Sequence, residues 1–161
     1  MAWQVKAHSA FSPMSLGAKR EDGMEEFPTK YFRLTTRLLA QMKESMPGPV
    51  VAQLFNQIAE DLASEYSSQI QGMSMEERLE VVKELLAQEG FTVEWEKKGT
   101  EYQIHEISCP YYQIGVAHPE VCTVDQTLIS KMLALPANKV QCILDGATHC
   151  TYVVQTAAIK N

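Results

Sequence analysis

An α+β fold follows from one change in hydrophobic rhythm. Over residues 27–90 apolar side chains recur every three to four positions, and from residue 91 they alternate. Two turn signals, Lys98-Gly99 and Asp145-Gly146, fold the alternating part into two antiparallel β-hairpins separated by a short helix. At 161 residues and 45% hydrophobic content the chain has material for one core. It is therefore expected to form a single domain over 27–161, with a helical part over 27–90 and an α+β part over 91–161, after a flexible lead-in over 1–26.

The lead-in shows no sustained period. The first helix is expected to begin near Pro28, because proline suits a first helical turn, and to carry Tyr31, Leu34, Leu38 and Met42 on one stripe. Met46-Pro47-Gly48-Pro49 stops it. A second helix comes next with Val51, Leu54, Phe55, Ile58, Leu62, Tyr66 and Ile70 on one face, which either packs within the chain or pairs with a second copy. Ser74 and Glu77 have capping-box spacing and announce a third helix, with Leu79, Val82, Leu85 and Leu86 inward and Gly90 closing it. Phe91, Val93 and Trp95 then alternate, and Tyr102 to Ile107 forms the return strand. Thr123 to about Leu135 reads as a helix, with Thr123 and Gln126 as a second capping box. Lys139–Leu144 and Cys150–Gln155 make the last hairpin.

Charge and composition narrow the function. A net charge of -6 leaves no excess of basic residues to neutralise phosphates, so no direct nucleic-acid binding is expected of this chain alone. No run of eighteen apolar residues and no secretion signal is present, so the expectation is a cytoplasmic protein without a membrane partner. In that reducing setting the four cysteines, all in the last third, point to metal or thiol chemistry rather than disulfides.

The candidate ligands are His105, Cys109, Cys122 and Cys150, separated by three, twelve and twenty-seven residues. Pro110 biases Cys109 away from helix, so the strand carrying His105 bends there. The bend is needed, because residues four apart in an extended strand lie about 13 Å apart. Cys122, just before the expected cap Thr123, sits at the positive end of a helix dipole, which favours thiolate. With a two-residue Asp145-Gly146 loop, Cys150 lies across from Gln141 and Cys142 points to the opposite face, so only one of the two joins the others. Cys142 then reads as a small buried hydrophobe. His118 is a fallback ligand, and His149 points away.

On these residues the chain resembles the C-terminal sensor region of the SufR-type iron-sulfur-responsive winged-helix repressors. The likeness runs from Asp22-Gly-Met-Glu-Glu-Phe-Pro-Thr-Lys-Tyr31 to Tyr152-Val153. It is most specific at Cys109-Pro110-Tyr111, at His118-Pro119-Glu120-Val121-Cys122 with Asp125 and Leu128-Ile129, and at Leu144-Asp-Gly146 with Cys150-Thr-Tyr152. The resemblance implies an iron-sulfur cluster, the four-iron type favoured, on Cys109, Cys122 and Cys150. His105 stands where a typical member has a cysteine, and is expected either to complete the set or to leave the fourth iron to another group. It also implies a homodimer. The winged-helix domain that would precede Asp22 is lacking, so the chain is either a fragment of a longer regulator or a free-standing sensor with a separate DNA-binding partner.

A different class of protein shares the C-terminal Gly-x-x-x-Cys-x-Tyr hairpin: the 4-vinyl-reductase-like small-ligand domains, in which the cysteines would hold zinc and an apolar pocket the ligand. A thiol enzyme with Cys109 as nucleophile ranks below both, because the sequence offers no oriented base and no oxyanion site. No catalysis is expected.

Overall fold

The computed structural model describes residues 21–156, with side chains from Lys30 onward. The chain divides into two units, one ending at Leu34 and the other starting at Thr35. Over its described residues the first is the N-terminal part of helix α1 (Glu21–Ser45), and the second holds the rest of that helix and every later element. Helix α1 starts seven residues before Pro28, which therefore lies inside the helix at the cost of one backbone hydrogen bond. Most of the expected lead-in, residues 1–20, lies outside the described part.

Helix α2 (Gly48–Tyr66) opens on Pro47 and Pro49, where a missing N–H leaves no partner unsatisfied. Its buried stripe is Val51, Phe55, Ala59 and Ala63, one residue per turn. The two alanines let a later helix over Thr123–Leu133 lie close along it. Leu54 and Ile58, expected on the same stripe for packing within the chain or against a second copy, are 39% and 49% exposed. Helix α3 (Met75–Gln88) carries the capping box as expected: the Glu77 N–H donates to Ser74 Oγ at 3.3 Å and the Ser74 N–H to the Glu77 carboxylate at 2.7 Å. Gly90 ends it with a φ of +95°, and the Phe91 N–H returns to the Leu86 carbonyl at 2.9 Å.

Strands β1 (Thr92–Lys98) and β2 (Glu101–Ser108) pair antiparallel around Gly99, with Trp95 opposite Ile104. The second hairpin joins the first in one four-stranded sheet of order β1-β2-β4-β3, so β2 and β4 (Cys150–Gln155) are central and β3 (Asn138–Gln141) is an edge. Along β2, Tyr102, Ile104 and Glu106 are buried, and along β4, Cys150, Tyr152 and Val154 are. Helix α3 packs on β1 and on α5 (Thr123–Leu133), and α5 packs on α2.

Three local expectations are corrected. Between the hairpins an additional short helix, α4 (Tyr112–Ala117), is followed by a 3-10 turn over Pro119–Cys122 that runs straight into α5. The second capping box does not form, because the Thr123 N–H is already taken by the carbonyls of Glu120 and Val121 and the backbone at Cys122 is helical. Nor is Asp145-Gly146 the tip of a two-residue hairpin. Residues 142–149 all separate β3 from β4, and Gly146, at a φ of +92°, ends a 3-10 turn over Ile143–Asp145.

Candidate metal centre

The cysteines gather where β2, the start of α5 and the β3–β4 loop meet. Cys109 follows the end of β2, Cys122 immediately precedes α5, Cys142 follows β3 and Cys150 opens β4. Cys150 is buried and the other three are half-buried thiols. The Cys142 and Cys150 sulfurs lie 3.9 Å apart, and the Ile143 N–H points at the Cys150 sulfur at 3.4 Å. This corrects the parity expectation that sends Cys142 to the opposite face: an irregularity between Lys139 and Gln141 and an eight-residue loop remove the register on which it depended. Gly115 of α4 closes the other side. A Cβ there would stand in ordinary contact 3.7 Å from the Cys122 sulfur and tightly 3.2 Å from Leu144 Cδ1, so a larger residue would require Leu144 to give by a few tenths of an ångström.

Two carboxylates face the thiols. Glu106 is 1% exposed and directly opposite Cys150 in the β2–β4 register, so both side chains leave the sheet on the same buried side. Asp125, in the first turn of α5, accepts a hydrogen bond from the Tyr152 hydroxyl at 2.7 Å. Glu106 and Asp125 lie within hydrogen-bonding reach of each other, and neither oxygen of Glu106, nor the second oxygen of Asp125, meets any other donor. Burial, and then the Asp125 charge, push the Glu106 carboxyl far above the usual carboxylate range. Burial likewise raises the thiols: Cys109 to about 12, Cys122 to about 11 and Cys150 to about 11. For Cys122 this reverses the expected thiolate, since loss of water outweighs the start of α5. Lys139 supplies a counter-charge; burial works to lower it, but Asp125 and the surrounding cysteines outweigh that and hold it above its ordinary value. Its ammonium lies 5.0 Å from the centre of the Tyr152 ring.

His105 is not brought to this cluster. The strand alternation that turns Glu106 inward turns His105 to the other face, where its ring nitrogens meet Thr151 Oγ1 at 3.1 Å and Glu96 at 3.3 Å. Its ring stacks edge-on against His149, with centres 5.3 Å apart. His118 caps the end of α4, is buried, and keeps Nδ1 unpartnered. The signal for Glu106 was present in the sequence: a carboxylate in step with Tyr102 and Ile104 on the apolar face of a strand, three residues before Cys109.

As the side chains stand, no three His, Cys, Asp or Glu groups among the described residues come close enough to share one metal ion. A multi-iron cluster sets a wider condition, since its ligands attach to different iron atoms. The donor set itself fits a metal: four thiols and two carboxylates, three of whose oxygens are buried without an outside donor. Beside the centre, Leu38, Leu39, Met42, Leu54, Phe55, Ile58, Tyr111, Ile114, Val121 and Val124 line a mostly apolar cleft of about 330 Å³. No helix among the described residues is long and apolar enough to cross a membrane.

No family model and no curated protein matches the sequence. Among solved structures, the chain is similar to the phenol-responsive sensory domain of the transcription activator PoxR, crystallised with phenol. The TM-score is 0.54 at 12% identity, over 80% of this chain and 75% of that one. It also matches a trafficking protein particle complex subunit 3 from Naegleria fowleri covalently bound to palmitic acid, with a TM-score of 0.43 at 15% identity, over 84% of this chain and 95% of that one. The chain thus shares its α+β fold with the first of these structures.

Proposed function

We propose that this chain is the sensor domain of a transcriptional regulator, that its signal is the state of a metal centre, and that the centre is an iron-sulfur cluster held by Cys109, Cys122 and Cys150. The observation that carries this is the burial of carboxyl oxygens without an outside donor beside the buried Cys150 thiol, with the other thiols half-buried around them. Groups of that kind are costly to bury unless something binds them. When bound, a cluster supplies an electron-transfer or oxygen-labile centre. The chain's own residues hold it, pack Gly115 and Leu144 beside Cys122, and set its surrounding charge through Asp125 and Lys139. The domain acts as a dimer and passes the signal to a DNA-binding partner.

The test is metal and acid-labile sulfide analysis of anaerobically purified chain. Brown protein with iron and sulfide in equal amounts is the expected result, and colourless protein free of iron and sulfide after reconstitution rejects the cluster.

A second reading is favoured by the apolar cleft: a zinc- or small-ligand-binding module of the 4-vinyl-reductase-like kind. PoxR's sensory domain, whose fold is similar, was solved with phenol. Zinc in place of iron, together with a rise in melting temperature on adding a small aromatic compound, selects it.

A further inference from the structure

Resting on the metal-centre reading above, we infer that Glu106, and not His105, supplies the fourth ligand: a carboxylate oxygen beside the thiolates of Cys109, Cys122 and Cys150. Three independent placements lead there. Glu106 lies opposite Cys150 across the β2–β4 pair, on the buried side of the sheet. It precedes Cys109 by three residues, and Cys109 stands one residue past the end of β2, where the chain begins to turn. It is 1% exposed with neither oxygen meeting a donor other than Asp125, whereas His105 already spends both ring nitrogens on Thr151 and Glu96.

The competing explanation is a structural acid pair, in which Glu106 stays protonated and shares its hydrogen with Asp125. Against it, one shared hydrogen engages one oxygen of Glu106 and leaves the other bare in the interior, and Asp125 has already committed an oxygen to Tyr152. A pair kept for structure alone leaves the burial of that oxygen uncompensated, whereas a metal would engage it. Carboxylate oxygen and thiolate sulfur also combine readily, around zinc as well as around iron.

The experiment uses the full chain with Glu106→Ala, Glu106→Gln, Glu106→Cys and His105→Ala, each reconstituted anaerobically with iron and sulfide and, separately, titrated with zinc. Metal-free Glu106→Gln is expected to melt no lower than the native chain, because it removes a buried acid facing another. Its affinity for metal, and that of Glu106→Ala, falls by at least the 10–100-fold typical of losing even an outer-shell partner. His105→Ala matches the native chain, and Glu106→Cys keeps the cluster with a shifted reduction potential. Native loading and potential in Glu106→Ala, or loss of metal in His105→Ala, overturns the assignment while leaving the metal centre intact. If Glu106→Ala does not fold, an unchanged potential in Glu106→Cys overturns it instead. A native chain that takes up neither iron with sulfide nor zinc ends the metal-centre reading itself, and the ligand assignment with it.

Discussion

Tyr152 shows how much one hydroxyl can decide. Its ring is fully buried on a central strand, and its O–H satisfies one oxygen of Asp125. Tyr152→Phe keeps the ring and strips a hydroxyl donor from that buried carboxyl, so the metal-free chain is expected to lose about 1–3 kcal/mol in urea unfolding. Glu76 offers a contrasting case at the surface. The Tyr102 hydroxyl first, and then the Lys97 ammonium at 3.0 Å, hold its carboxyl down at about 2 against an ordinary 4.5. A lowered folded-state value means that its stabilisation is complete above pH 4.5 and disappears as pH falls toward 2. Acid titration of the melting temperature should therefore be steeper between those limits in the native chain than in Glu76→Gln; parallel curves would show that the contact is inert. At this scale the sequence was readable for residue type and not for partner. Glu106 stood in the apolar rhythm of its strand, yet only the pairing of β2 with β4 reveals that it confronts Cys150.

Among the elements, those with a strong period or a cap were legible: the α3 capping box, the switch from three-to-four spacing to alternation at Phe91, and the Gly99 turn. What escaped was α4, a six-residue helix too short to display a period, and the β3–β4 loop, where Asp145-Gly146 serves a 3-10 turn and not a hairpin. Turn dipeptides report a local backbone shape, and several connections use the same shape. Gly115 gives α4 a testable role. Gly115→Ala gains about 1 kcal/mol of helix propensity and loses about 1–3 kcal/mol by pressing Leu144, so a net loss of about 1 kcal/mol is expected by chemical denaturation. A gain in stability would mean that Leu144 yields freely. The cysteines divided along the same line, since strand parity in the sequence sends Cys142 away from Cys150, and their convergence required the loop's actual length.

For the whole molecule, the proposed dimer has a concrete surface to answer for. Leu54 and Ile58 on α2 are half-exposed and border the apolar cleft, while the opposite stripe of that helix is taken up by α5. Replacing both by serine should cost little in monomer stability and move the sedimentation coefficient from dimer to monomer; an unchanged coefficient would place the dimer contact elsewhere. The same layout ties signal to scaffold. Cys122 precedes α5 and Cys150 opens β4, and within a turn of each, Asp125 and Tyr152 clasp one another across the interior. That clasp acts as a tie-beam. In the proposed sensor, a shift that draws the Cys122 or Cys150 sulfur would act on a helix and a central strand in concert, and the answer would be a movement of the frame and not the twitch of a single loop.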